Sequence, residues 1–307
     1  MDLVSSPTAL RRWTIASLLA NMALVVTGGL VRLTQSGLGC PTWPQCEPGS
    51  YVPHPESGIH GAIEFGNRLL TFVLAAVALG TLVAAWRARS DGRPRVRLRA
   101  LAVAAFLGIP LQAVIGGWSV LSQLNPWVVS LHLLLSIAII VLCVAMIHRA
   151  YDLTPVPVSA GTAWLVRTLS AIGMLVVWLG TVVTGAGPHS GDGGAQRSGL
   201  DLTLTAKVHA GAVWLLLGLT VAAFLAARRA PRVRRGLLLL LLIEFTQGLV
   251  GYLQFFTALP VALVTAHMAG TALFSAAVSH VWLSTGSAAS AQNSSGSSAA
   301  AMNTTAR

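Results

Sequence analysis

The chain has 307 residues, 54% of them apolar and only 9% charged, with a formal net charge of +11 and a mean hydropathy of +0.72. A soluble globular domain carries roughly 25% charged residues, so this composition excludes one and fits a polytopic membrane protein. Basic loops and contact with anionic membrane lipid account for the positive charge without a nucleic-acid partner.

In chain order, apolar runs predict helices at 13–33, 59–86, 100–121, 127–148, 163–186, 203–227, 236–256 and 260–283. Each is long enough to cross a hydrocarbon core of ~30 Å at 1.5 Å per residue. An even number of spans puts both termini on one side. The first run follows Arg11 and Arg12, and with no small-residue cleavage site after it, it reads as a retained helix. "RARSDGRPRVRLR" (Arg87 to Arg99) and "RRAPRVRR" (Arg228 to Arg235) are strongly basic, and Arg149 and Arg167 flank a third connection on the same side. Basic loops stay cytoplasmic, so these connections and both termini are expected there, in a bacterial cell membrane. The expected organisation is a cytoplasmic N-terminus (1–12), an N-terminal four-helix bundle (13–148), a cytoplasmic linker (149–162), a C-terminal four-helix bundle (163–283) and a disordered cytoplasmic tail (284–307).

Between the first two runs lies "CPTWPQC", which holds Cys40 and Cys46. On the oxidising face of a membrane this pair reads as a disulfide, as two free thiols or as half of a metal site; no second Cys or His pair stands nearby at structural-zinc spacing. Cys143, inside the fourth run, reads as packing.

The two halves repeat. "LQAVIGGW" (Leu111 to Trp118) resembles "TQGLVGYL" (Thr246 to Leu253), "WVVSLH" (Trp127 to His132) resembles "ALVTAH" (Ala262 to His267), and "VVTGG" (Val25 to Gly29) resembles "VVTGA" (Val182 to Ala186). Gln112 and His132 are separated as Gln247 and His267 are, so the alignment needs no gap. The fold class is therefore an all-α membrane protein: eight transmembrane helices as two tandem four-helix bundles, related by a pseudo-two-fold axis along the membrane normal. The second helices align less tightly and set Asn67 opposite His209.

Ionisable groups inside spans are expensive and mark function. Counted from the expected helix starts, His132, His209 and His267 lie about 8 to 10 Å deep and Asn67 about 12 Å, in one layer. A lone membrane histidine is ordinarily hydrogen-bonded to a carbonyl. Here the repeated Gln-His spacing and shared depth point instead to imidazoles on opposite faces of a haem. At the start of the second run, "IHGAIEFGNRLL" puts His60, Glu64 and Asn67 on one helix face, with Arg68 one turn beyond Glu64. Glu64 reads either as a catalytic carboxylate or as a structural ion pair with Arg68. Arg68, Arg32 and Lys207 are candidates for haem propionates or for interfacial snorkelling. His148 and His280 read as interfacial, His54 and His189 as solvated loop residues, and Glu244 as bonded to Gln247 one turn away.

"GGLVRLTQSGLGCPTWPQC", "IEFGNR", "GTVVTGAGPHSGD" and the four-place histidine layout together resemble the heme A synthase family, also called cytochrome oxidase assembly proteins of the CtaA/Cox15 type. The resemblance covers nearly all of 13–283. It implies a membrane oxidoreductase that oxidises the C8 methyl group of heme O, its substrate, to the formyl group of heme A by successive hydroxylations, with water as oxygen source. It implies heme b held by His209 and His267 in the C-terminal half and the substrate haem beside His132 and Asn67 in the other. It makes Glu64 the catalytic glutamate, matches Cys40 and Cys46 to the family's loop cysteine pair, and implies heme O synthase and an a-type cytochrome oxidase as partners. Many members read E-x-x-H-R where this chain has Glu64-Phe65-Gly66-Asn67-Arg68. An amide is a poor iron ligand, so an iron held by His132 alone is expected, ahead of His60 as a substitute ligand. The alternative reading is a diheme b-type cytochrome for electron transfer, which needs a second imidazole at Asn67.

Overall fold

The computed structural model describes residues 6–90 and 92–287. Among the described residues, eight helices are long and apolar enough to cross a membrane: α1 (Pro7–Leu33), α2 (Gly58–Arg87), α3 (Val96–Leu121), α4 (Pro126–Ala150), α5 (Ala160–Ala186), α6 (Leu202–Ala226), α7 (Pro231–Phe256) and α8 (Val261–Ser284). α1, α3 and α7 start before their apolar runs. Their first turns carry arginines, which are good helix formers and can lay their stems along apolar surface. Three of these arginines rest on aromatic rings, with guanidinium carbons 4.7 Å from the Tyr151 centroid (Arg11), 5.2 Å from Trp86 (Arg99) and 4.6 Å from Phe224 (Arg234). The starts are also set by side-chain caps: Ser6 accepts from the Ala9 amide, Asn125 from Trp127, Ser159 from Thr162 and Asp201 from Leu204. Pro7, Pro126 and Pro231 occupy first helical positions, where no amide donor is needed.

The helices form two rings. α1, α2, α3 and α4 pack in a closed cycle, and α5, α6, α7 and α8 repeat it. Between the rings α1 meets α8, α4 meets α5, and α4 meets α8. Exchanging α1 with α5 and α4 with α8 converts the first contact into the second and leaves the third unchanged, as a two-fold axis requires. The largest apolar cluster lies at this junction and includes Val25, Ile137, Ile140, Val166, Leu169, Phe274 and Val278.

In hydrocarbon, helices associate through close packing and interhelical hydrogen bonds. The Ser130 and Thr181 hydroxyls join α4 to α5. His148 Nε2 and His280 Nδ1 stand 3.0 Å apart between α4 and α8, so these two residues are bonded to each other at the inter-bundle junction rather than being simple interfacial residues. Cys143 is fully buried and packs beside Asn21, whose Nδ2 is 3.7 Å from its sulfur.

Short strands finish the helix ends. β1 (Arg89–Ser90) and β2 (Arg93–Pro94) pair antiparallel between α2 and α3, while β3 (Val156–Val158) and β4 (Thr285–Ser287) pair in parallel. β4 falls in the segment read as a disordered tail from 284; its backbone groups find partners on β3 once α8 brings them there. The rest of that tail, 288–307, lies outside the described residues, as do the first five residues of the N-terminus.

The junction is tight at Gly29, where a methyl group would stand 2.5 Å from Cε of Met268 on α8, so that a small side chain there must displace the flexible end of Met268 and a larger one must also displace its neighbours. Gly29→Leu is expected to lower stability in detergent by about 1–3 kcal/mol, as overpacked cores do. Thermal or denaturant unfolding of the purified chain measures it.

Candidate functional site

A cavity of about 1810 Å³ runs through both bundles, lined by residues from all eight helices and by the loop after α1. His132, His209, His267, Asn67, Glu64 and Arg68 all line it. The side chains expected to share a layer therefore do share a chamber.

Each imidazole lies over a glycine. Methyl groups added at Gly116, Gly180 and Gly251 would stand 3.1, 3.4 and 3.5 Å from the Cε1 atoms of His132, His209 and His267. Gly116 and Gly251 occupy equivalent positions in the repeat, as their histidines do. The Nδ1 atoms of all three rings are buried without a hydrogen-bond partner. Leaving such groups unpaired costs about 1–3 kcal/mol each, so the rings that line the cavity are held there at a polar cost, with Nδ1 turned toward the glycine-bearing helix. A donor set of this kind suits a planar iron cofactor held by imidazole. Gly28 faces Asn67, where a methyl group would stand 3.9 Å from its Nδ2, and Asn67 Oδ1 is likewise buried and unpartnered.

The two halves use the repeated glutamine differently. Gln112 Nε2 on α3 donates to the His132 carbonyl at 3.1 Å and to Ser136 Oγ at 2.8 Å, tying α3 to α4. Its repeat equivalent, Gln247, lies against Gly270, where a methyl group would be 1.6 Å from Gln247 Nε2. Gly270 is therefore what admits the Gln247 side chain.

Glu64 is buried on α2 and gripped from the loop. Its Oε2 accepts from the Cys40 amide at 2.7 Å, and its Oε1 pairs with Arg68 at 2.7 Å. Arg68 also donates to the carbonyls of Cys40, Thr42 and Gln45. Cys40 and Cys46 form a disulfide, and both are fully buried, which resolves the three readings of that pair. The stapled loop thus presents its backbone to the Glu64–Arg68 pair and lays Trp43 over Gly117 of α3, where it lines the cavity. Close approach depends on Gly39, where a methyl group would stand 2.3 Å from the His60 carbonyl oxygen. Arg68, read as a candidate for haem propionates or for snorkelling, directs its guanidinium to Glu64 and these carbonyls.

Some expected residues lie elsewhere. His60 does not line the cavity; it is exposed, bonded through Nδ1 to Ser36 Oγ at 2.9 Å, and lines a second outer pocket with Glu47, Ser57 and Asp192. It lies in the first turn of α2, and the loop residue Gly39, which packs against its backbone carbonyl, lines the same outer pocket. In the same outer pocket the Ser57 hydroxyl, with the His54 amide and ring, holds the Glu47 carboxyl below the usual range. Arg32 reaches across the bundles to the carbonyls of Thr184 and His189. His189 is not merely solvated, because its Nε2 donates to the Leu259 carbonyl at 2.9 Å. Glu244 bonds Thr220 on α6 at 2.9 Å rather than Gln247. The grip of the loop backbone on Glu64 joins residues far apart in sequence, and only the cysteine pair hinted at it.

Fold and site together define a polytopic membrane protein with a chamber built to present imidazoles and one ion-paired carboxylate. The family model described as Cytochrome oxidase assembly protein, COX15-CtaA, matches residues 11–189, and the chain belongs to this family. Its relatives include a heme A synthase of Lysinibacillus sphaericus, 31% identical over 56% of this chain and 57% of that protein. Those of Geobacillus kaustophilus and Geobacillus thermodenitrificans are 26% and 24% identical over 84% and 83% of this chain and 86% and 85% of theirs. The match to the Lysinibacillus protein thus spans little more than half of its length, whereas the Geobacillus matches run through both bundles.

Gly39→Ala is expected to push the loop off α2 and release Glu64 from the Cys40 amide. Hydrogen bonds to charged groups contribute about 1.5–3 kcal/mol, so the shielded disulfide should become reducible about tenfold faster or more. Thiol labelling over a reductant time course measures this, and an unchanged rate contradicts the grip.

Proposed function

We propose that this chain is a heme A synthase, an oxidoreductase that converts the C8 methyl group of heme O to a formyl group. The observation that carries the reading is Glu64, a buried carboxylate lining the same cavity as His132 and fixed by Arg68 and the Cys40 amide. In each hydroxylation the substrate methyl loses a pair of electrons and a pair of protons while oxygen enters from water. The second gives a geminal diol, which loses water to leave the formyl group. Glu64 is the group placed to orient that water and accept its proton, at a fixed position that needs no rearrangement. Arg68 and the loop carbonyls hold the carboxylate in place; the disulfide holds the loop.

His132 is the imidazole for the substrate iron. Asn67 stands where the repeat has His209, and its unpartnered Oδ1 can accept a hydrogen bond from water or from the hydroxylated substituent without competing for iron. A substrate held by one imidazole can leave as product. His209 and His267 would hold a resident heme b, both lining the cavity and each seated on its glycine. When bound, that haem supplies one-electron chemistry. The domain assignment follows: a substrate half over 13–148, an electron-accepting half over 163–283 and a cytoplasmic linker between them. The basic connections support a reading with both termini on the cytoplasmic side of the cell membrane. Heme O synthase as supplier and an a-type cytochrome oxidase as recipient are the partners this reaction requires.

Expression with a heme O source, followed by extraction and chromatography of total haem, tests the reading. Heme A or its hydroxylated intermediate is expected. Glu64→Gln should cut that yield by about 10²-fold or more, the scale of a lost general base, while leaving bound haem in place. Unchanged heme O in a wild-type preparation that carries haem would overturn the assignment.

A further inference from the structure

The C-terminal half contains a second buried carboxylate with no counterpart in the N-terminal half. Glu244 lies on α7, two turns from Gly251, which seats the His267 ring. It is 5% exposed and lines the cavity. Oε1 accepts from the Thr220 hydroxyl on α6 at 2.9 Å, whereas Oε2 is buried without any partner. By the repeat spacings, Glu244 and Thr220 replace Ile109 and Ala78, which belong to one apolar cluster in the N-terminal half. Two polar residues have thus been put, as a bonded pair, where the duplicated half packs only hydrocarbon.

The contrast with Glu64 is one of charge compensation. Glu64 has Arg68 at 2.7 Å and a backbone amide. No ion pair among the described residues reaches Glu244. The elements packed against α7 are α6, α8 and the turn Ala227–Arg229. Their titratable groups are Lys207 and His209, His267 and His280, and Arg228 and Arg229; the bond Glu244 makes is to Thr220 alone. A carboxylate in apolar surroundings with one unmet oxygen is expensive when ionised and far less so as the neutral acid. A nearby change of charge decides which form is held.

We infer that Glu244 is a proton-binding site coupled to a haem between His209 and His267, gaining a proton as that haem gains an electron. This rests on the proposed heme b site. The electron reduces ferric to ferrous iron and comes from the substrate methyl; the proton comes from water and binds the Glu244 carboxylate, so the net charge of this half is unchanged. Thr220 steadies the carboxylate form through its hydroxyl. The arrangement keeps a low-dielectric chamber from accumulating charge during electron transfer, where an unscreened change of one unit is costly.

The test is a spectroscopic redox titration of the purified full chain, poised with dithionite and ferricyanide through mediators, repeated across pH. In the wild type the midpoint potential should be highest and flat at low pH, fall once the oxidised form loses the Glu244 proton, and level again above. Glu244→Gln should lose that fall and stay at the low-pH level. Thr220→Val keeps the shape but removes the hydroxyl, and should move the onset of the fall to higher pH. A wild-type potential independent of pH, or a fall of equal size in both variants at unchanged pH, would overturn the coupling while leaving the haem assignment intact. A wild-type chain with no low-spin haem spectrum would overturn both.

Discussion

A polar group sunk in hydrocarbon must be paired within the protein, and this fold is organised around the groups that are not. Eight helices satisfy their own backbones. The hydroxyl and imidazole contacts between α1, α2, α4, α5 and α8 satisfy one another. Among the described residues, every buried side-chain polar atom left without a partner, Arg99 Nε apart, belongs to a residue lining one chamber: His132, His209 and His267 through Nδ1, Asn67, Gln112, Gln247 and Gln254 through their amide oxygens, and Glu244 through Oε2. Glycines on adjacent helices make room for the rings, and the junction on the pseudo-two-fold axis holds the two halves in register. The chamber is therefore a consequence of the packing and also the place where the packing leaves chemistry undone.

Duplication supplies two similar sites, and small departures from symmetry separate them. In one half an amide replaces an imidazole, a stapled loop descends onto Glu64, and Gln112 ties the histidine helix to its neighbour. In the other, two imidazoles remain and a carboxyl–hydroxyl pair takes the place of an apolar contact. Under the heme A synthase reading these differences divide labour. The half with one imidazole can release what it binds, and the half with two can retain it and pass electrons.

Much of this was legible in the sequence, for physical reasons. Apolar length and basic loops give the spans, and the ungapped Gln-to-His spacing gives the duplication and the layer of histidines. The ends of α1, α3 and α7 were not legible from hydropathy, because arginines that continue a helix look like loop. The Glu64–Arg68 pair was readable at helical spacing, but its clamp was not: backbone groups of Cys40, Thr42 and Gln45 leave no side-chain signature. Neither the His148–His280 contact nor the Glu244–Thr220 bond could be read, since both join residues on different helices outside the repeated motifs. His60 looked usable because helical periodicity ignores depth; its ring turns to Ser36 in the outer pocket and does not line the chamber.

The central claim is the asymmetry between the halves, and the most direct measurement is the spin state of each haem in the purified full chain loaded with heme O, read by electron paramagnetic resonance with haem quantification. The account predicts one low-spin ferric haem with two imidazole ligands, retained through purification, and a second, exchangeable haem that is high-spin with a single imidazole. Two low-spin signals of equal weight, both lasting through purification, would contradict it and favour a diheme electron carrier.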